Sequence, residues 1–181
     1  MTTKIDIGGY HTDPNQSKWP GGSIWASEGQ RLYDLVKDER PKKIVEIGAY
    51  YGCSTTWITQ SIINNKINCD FISIDKGVYG DTWSMIPEEN RKYVSLIFED
   101  CFKVSVSDID LLFEDGAHTP EFTKRVLQKF SAKLVVCHDY LHESGFGDNV
   151  RKDFNEVLGE PDEIFQEDSD CGLAIKWIQK L

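Results

Sequence analysis

The residues of this chain that could do chemistry are mostly acids, and they recur at regular intervals. Glu46 is followed by Gly48, Gly52 and a hydroxyl cluster, Ser54-Thr55-Thr56. Asp75, Asp100, Asp115 and the pair His138-Asp139 follow, each at the end of a short apolar run. Glycines at a turn let the backbone bend sharply and approach a ligand closely. A carboxylate beside such a turn accepts hydrogen bonds from hydroxyls or from an amine. The spacing Gly-x-x-x-Gly differs from Gly-x-Gly-x-x-Gly, the tighter cluster that seats a pyrophosphate on a helix N-terminus. The pattern therefore points to an adenosine ligand without that diphosphate, rather than to NAD or FAD.

The elements that must position these groups can be read from the hydrophobic pattern. Residues 43–47 form a buried strand, and a helix over 53–64 carries Trp57, Ile58, Ser61 and Ile62 on one face. Further strands are expected at 68–74, 93–98, 109–113 and 133–137. Further helices are expected before 43 from an N-cap at Ser27, from Pro87, over 119–131 with Pro120 in its first turn, and over 148–158 after a loop bearing Gly145 and Gly147. The tail, 163–166 and 172–178, reads as an antiparallel pair. Strands alternating with helices make a parallel sheet covered on both faces. The expected fold is α/β: a Rossmann-like three-layer sandwich with a mostly parallel seven-stranded sheet and a C-terminal antiparallel β-hairpin. In such sheets ligands bind beyond the carboxyl ends of the strands. Five successive strands end there in an acid, which makes a lined crevice rather than a scatter of helix caps.

Composition bounds the rest. A chain of 181 residues with 40% hydrophobic and 28% charged residues is long enough for one sizeable core. The reading is an N-terminal arm or lid over 1–26, which contains Trp19 and Trp25, and a single domain over 27–181. A net charge of −10 disfavours phosphate backbones, so no nucleic-acid partner is expected. The five cysteines are scattered without a Cys-x-x-Cys and read as buried free thiols of a reducing cytoplasm. No apolar run approaches the ~20 residues of a membrane span.

Three segments together resemble the class I S-adenosylmethionine (AdoMet)-dependent methyltransferases, and within them the small O-methyltransferases of the catechol type and the related methyltransferase 24 group. The segments are Val45-Glu46-Ile47-Gly48-Ala49-Tyr50-Tyr51-Gly52-Cys53-Ser54, Phe113-Glu114-Asp115-Gly116-Ala117-His118 and Val136-Cys137-His138-Asp139-Tyr140. The terminal hairpin with Gly172-Leu173-Ala174-Ile175 also fits, and the likeness runs from about Ser27 to the end. The resemblance implies an AdoMet site in which Glu46, Gly48, Ala49, Tyr50 and Tyr51 flank the methionine part and Ser54 binds its carboxylate. Asp75 would take both ribose hydroxyls, Lys76 would cover the adenine, Asp100 and Cys101 would meet its amine and ring, and Asp115 would close the site.

The resemblance also implies a second half-site. Asp115, His138 and Asp139 stand where the catechol-type enzymes hold a divalent metal, Mg²⁺ or another ion, although His138 replaces the usual carboxylate. Neighbours on a regular strand face opposite ways, so His138 and Asp139 could act together only if the strand has ended. His118 stands at the spacing of the family's general base, and histidine takes a hydroxyl proton near neutral pH. The implied catalytic set is His118, Asp115 and Asp139. The implied activity is methyl transfer to a small-molecule hydroxyl, sugar or phenolic, with a homodimer as the implied assembly. Trp19, Trp25 and Tyr140 are candidates to line the acceptor pocket, and His142 is a secondary candidate for the site. Two other readings stay open: an iron-dependent oxidation of the cephalosporin-hydroxylase kind using His118, His138 and Asp139, and a non-catalytic AdoMet-binding accessory protein.

Overall fold

The computed structural model describes residues 23–77, 85–143, 145–167 and 169–179. Most of the expected arm, including His11 and Trp19, lies outside them, as does Gly80 in the loop after the second strand.

Seven strands form one sheet: β1 Lys43–Ile47, β2 Asp70–Asp75, β3 Ser95–Phe98, β4 Ile109–Glu114, β5 Ala132–Cys137, β6 Glu163–Phe165 and β7 Leu173–Trp177. Their order is β3-β2-β1-β4-β5-β7-β6. The first five are parallel, while β7 runs antiparallel to both β5 and β6. The helices are α1 Ala26–Glu39, α2 Cys53–Asn64, the single turn α3 Glu88–Arg91, α4 Phe122–Lys129 and α5 Gly145–Leu158, and a 3-10 turn covers Cys101–Lys103. The expected mostly parallel sheet with its terminal hairpin is what the chain forms. Strand order reverses between β1 and β4, the place where a doubly wound sheet opens a crevice.

The central strands β1, β4 and β5 are buried on both faces over most of their length, so neighbouring residues serve opposite layers. Ile44, Leu111, Phe113, Leu134 and Val136 pack with Leu32 of α1 and with Trp57 and Ile58 of α2. Val45, Leu112, Val135 and Cys137 pack with Val126 of α4 and with Val150 and Phe154 of α5. Full burial of side chains such as Phe113 and Phe154 contributes about 1.5–3 kcal/mol each. That packing fixes the strand ends on which the site is built. Among the described residues, no helix is long and apolar enough to cross a membrane.

Three helices start elsewhere than expected. Helix α1 starts after Trp25 rather than after Ser27, because Glu28 in its first turn reaches back to accept the Trp25 N–H at 3.0 Å. Helix α4 begins only at Phe122, because Glu121 takes a left-handed conformation (φ 64°) that ends the turn containing Pro120. Helix α5 begins already at Gly145. Gly147 marks close packing rather than a loop: a Cβ there would lie 2.1 Å from the His142 carbonyl oxygen and 2.9 Å from that of Asp139.

Candidate active site

The glycine turn after β1 is set by backbone geometry. Gly48 has φ 93°, and a Cβ on it would come within 2.0 Å of the Asp115 carbonyl oxygen. The two strand ends can meet only because residue 48 has no side chain. Tyr50 also holds a left-handed backbone, φ 47°, and Gly52 caps α2 with φ 85°. A narrow crevice opens here, lined by Gly48, Ala49, Tyr50, Tyr51, Ser54 and Asp115 among others. A larger hollow beside Ser105, Val106 and Lys129 lies near the start of β4, away from the strand ends, and carries none of these groups.

Glu46 does not project into the crevice. It is fully buried, and its carboxyl group accepts hydrogen bonds from Ser54 at 2.5 Å, from Thr55 at 2.6 Å and from Ser73. The pairing of β1 with β2 sets Ser73 directly opposite it. Burial raises its pKa to about 7 against the opposing effect of these hydroxyls. Glu46 and the Ser54 hydroxyl, both expected to touch a ligand, bind each other and brace the turn from behind.

Asp75, at the end of β2, accepts the Tyr50 N–H at 2.8 Å and the Gly77 N–H at 2.8 Å. A carboxylate has about four acceptor positions, so this leaves capacity for a bound diol. Asp100 caps the 3-10 turn through the Phe102 N–H at 2.9 Å. Lys76, 81% exposed, lies 3.9 Å from it. Cys101 is buried, and burial raises its thiol pKa to about 11.

Across the switch point, groups from β4, β5 and α1 converge. β5 ends at Cys137, and Asp139 adopts φ 57°. The strand has ended where the sequence required it to, and His138 Nδ1 comes 3.4 Å from Asp139 Oδ2. His138 Nδ1 also lies 3.1 Å from Asp115 Oδ1, while its Nε2 lies 3.0 Å from Glu28 Oε2. His118 Nε2 is 2.7 Å from Asp139 Oδ2 and 3.8 Å from Asp115 Oδ1. His118 Nδ1 is buried without a hydrogen-bond partner. His118, Asp115, His138 and Asp139 are therefore brought together, and Asp115 also lines the crevice.

Electrostatics accounts for the charge states. Burial would lower the pKa of His138, but the charge and hydrogen bond of Asp115 and the hydrogen bonds of Asp139 and Glu28 carry it well above 6.5. Burial likewise opposes the charge on His118, yet its hydrogen bond to Asp139 and the Asp115 charge raise it. Burial would raise Asp139, but hydrogen bonds from His118 and His138 hold it far below the ordinary carboxylate range. Asp115 stays raised, because burial outweighs the help of His138.

Glu28 was not singled out from the sequence as part of this cluster. It is fully buried and also accepts hydrogen bonds from Ser169 Oγ at 2.5 Å and the Gly172 N–H at 2.9 Å. Its sequence signal was that of an ordinary capping acid in the first turn of a helix.

Among the described residues, two triplets of donor atoms lie close enough for one cation: Asp115, His118 and Asp139, and His138, Asp139 and Cys171. A histidine ligand must offer a lone pair. Both His138 nitrogens face carboxylates, and His118 Nε2 is engaged by Asp139. The set implied by the resemblance, Asp115, His138 and Asp139, meets in space, with His138 Nδ1 facing both carboxylates and its Nε2 turned to Glu28. A metal-bound histidine is oriented in this way by donating its second N–H to a carboxylate, so the donors fit a divalent ion.

Residues 45–140, more than half of the chain, match the family described as methyltransferase domain. The chain belongs to the methyltransferase-domain family. A curated relative, the uncharacterized protein y4gI of Sinorhizobium fredii, is 29% identical over 146 residues. The match takes in 69% of this chain and 16% of that protein, so the chain spans about a sixth of that relative's length. Solved structures share the fold at low identity. The O-methyltransferase TomG of Streptomyces achromogenes, in complex with SAM, aligns with TM-score 0.68 and 15% identity over 88% of this chain and 83% of its own. Cofactor-bound Rv0187 from MTB aligns with TM-score 0.68 and 14% identity over 91% and 85%. SAH-bound PaMTH1 of Podospora anserina aligns with TM-score 0.60 and 20% identity over 88% and 82%. At the level of family and fold, the expectation of a class I methyltransferase is borne out.

Proposed function

We propose that the chain is an AdoMet-dependent methyltransferase that methylates a hydroxyl of a small molecule, sugar or phenolic. One observation carries the reading: Asp115 belongs both to the crevice at the glycine turn and to the histidine cluster, so a cofactor site and a proton-accepting group adjoin. The crevice residues fit AdoMet by chemistry. Backbone turns and neutral donors surround the turn, Asp75 has acceptor capacity suited to a ribose diol, and no glycine cluster for a diphosphate is present. AdoMet, when bound, supplies an electrophilic methyl group on sulfur.

The chain's own residues do the rest. Asp139 accepts the His118 Nε2–H and so fixes the tautomer, which leaves the Nδ1 lone pair of the neutral ring for the acceptor's hydroxyl proton. Because the neighbouring carboxylates raise the His118 pKa, the ring acts as a base only above its ordinary 6.5, and turnover rises with pH through that raised value. The remaining contribution is orientation, which makes a bimolecular displacement close to unimolecular. Lys76, Asp100 and Cys101 flank the adenine in this reading, the acceptor is a small molecule rather than nucleic acid or membrane, and the working assembly is a homodimer in the cytoplasm.

The test is methyl transfer from AdoMet to a panel of sugars and catechols. The reading expects at least one to turn over, with the rate rising from pH 6 to pH 9. Transfer to no hydroxyl while AdoMet still binds would favour the accessory role.

A further inference from the structure

Methyl transfer as proposed makes no use of Cys171, yet the fold brings its sulfur to the histidine cluster. Cys171 Sγ, a His138 ring nitrogen and an Asp139 carboxylate oxygen all lie within 4.8 Å of one another. The placement is built rather than incidental. The Cys171 carbonyl accepts the Leu141 N–H at 2.7 Å, and the Cys171 N–H donates to Ser169 Oγ at 2.8 Å. Ser169 Oγ and the Gly172 N–H in turn donate to Glu28 Oε1, at 2.5 and 2.9 Å. The other oxygen of Glu28 meets His138 Nε2 at 3.0 Å. One buried carboxylate thus fixes both the imidazole and the loop that carries the thiol. With its Nε2–H given to Glu28, His138 turns its Nδ1 lone pair toward Asp139 Oδ2 at 3.4 Å and Asp115 Oδ1 at 3.1 Å. A carboxylate behind the ring is how metal-bound histidines are oriented. Cys171 Sγ also has a long contact with Asp170 Oδ1, 3.5 Å, which an ion would displace.

We propose that His138 Nδ1, Asp139 and the Cys171 sulfur hold Zn²⁺ or a similarly thiophilic divalent ion, with Asp115 the nearest further donor. Donor chemistry selects the ion. Carboxylates and water suit Mg²⁺, Ca²⁺ or Mn²⁺, whereas imidazole and thiolate together suit Zn²⁺ and its neighbours. Cys171 lies outside the set implied by the resemblance, so the thiol is what changes the preferred metal. On binding, the Cys171 S–H bond breaks, a sulfur–metal bond forms and the proton leaves to solvent, with no change of oxidation state. The ion takes the place of any proton on His138 Nδ1. Cys171 and Asp139 are half-buried, which leaves an entry from solvent. The assignment does not rest on the methyl-transfer reading.

The experiment uses the full chain, freed of metal under reducing conditions, with Co²⁺ as the coloured stand-in for Zn²⁺. The wild type is expected to develop a sulfur-to-cobalt charge-transfer band in the near ultraviolet, and added Zn²⁺ should abolish it by displacement. Cys171→Ser should lose the band and at least about tenfold in Zn²⁺ affinity, while Mn²⁺ affinity stays within about threefold, because only the soft donor is gone. Cys69→Ser, just ahead of β2, should keep the band. A wild type without the band would overturn the proposal, and so would a folded Cys171→Ser that keeps the band or its Zn²⁺ affinity. If Cys171→Ser does not fold, alkylation of the wild type decides. Zn²⁺ is expected to shield Cys171 from iodoacetamide, read by peptide mass, and equal labelling with and without Zn²⁺ would overturn the proposal. Neither AdoMet nor an acceptor is present in these measurements, so failure here leaves the methyl-transfer reading intact, and absence of AdoMet binding leaves the metal site intact.

Discussion

The glycine crevice and the histidine cluster meet their acids with different partners. On the β1–β2 side, Glu46 and Asp75 are met by hydroxyls and backbone N–H groups, and Lys76, next to Asp75 in the chain, is exposed. On the β4–β5 side, Asp115 and Asp139 are met by two imidazole rings, and Glu28 reaches in from α1. Neutral donors shape a surface without committing charge. Imidazoles carry protons that can move. In the proposed reading, cofactor holding falls to one side and proton handling to the other, with Asp115 as the boundary.

Substitutions can break that division. The largest effect should come from His118→Ala: kcat with any accepted hydroxyl falls about 100-fold or more, the usual contribution of a general base, while AdoMet affinity stays within about threefold. Equal loss of both would erase the division. Asp75→Ala should do the reverse. Loss of a charge-assisted pair of hydrogen bonds costs about 1.5–3 kcal/mol, so AdoMet binding weakens about tenfold or more while kcat at saturation holds.

Stability against pH tests the buried acids that stand behind both sites. Burial holds Glu46, and likewise Glu114, at a pKa of about 7 rather than the ordinary 4.5. A group raised on folding binds its proton more tightly in the native state. Its contribution is therefore complete below 4.5 and is lost as pH rises through about 7. The raised histidines act in the same direction above 6.5. Denaturant unfolding between about pH 5 and pH 8 should lose about 2 kcal/mol through Glu46 alone, and Glu46→Gln should flatten the slope. A stability that climbs over this range would contradict the burial of Glu46.

The smallest effect concerns the acceptor. Phe146 is 58% exposed in the first turn of α5, with its ring 6.3 Å from that of His118. Phe146→Ala should raise the acceptor KM several-fold, about 1 kcal/mol, with kcat within about twofold. A change in kcat alone would move Phe146 from acceptor binding to support of His118.

What could be read in the sequence was whatever is local. The glycine turn, the strand ends and the His118 spacing each lie within a dozen residues, and their periodicity gives the sheet. The contacts that escaped join distant segments: Glu28 meets His138 and Gly172 across more than half of the chain. An acid in the first turn of a helix has a sufficient local explanation, and Glu28 does cap Trp25, so nothing marked its second role. Glu46 was legible as an acid beside a glycine turn, but its direction depends on Ser73 in the register of the neighbouring strand. Gly145 and Gly147 read as a loop because glycine is a poor helix former, yet α5 starts at Gly145, and Gly147 sits where a Cβ would meet the His142 carbonyl oxygen.

The division between the two sides can be tested most directly by calorimetry of AdoMet binding to three proteins side by side: the wild type, Asp75→Ala and His118→Ala. The account predicts binding by the wild type, nearly unchanged binding by His118→Ala and weakened or lost binding by Asp75→Ala. Absence of binding by the wild type, or equal loss in both variants, would contradict it.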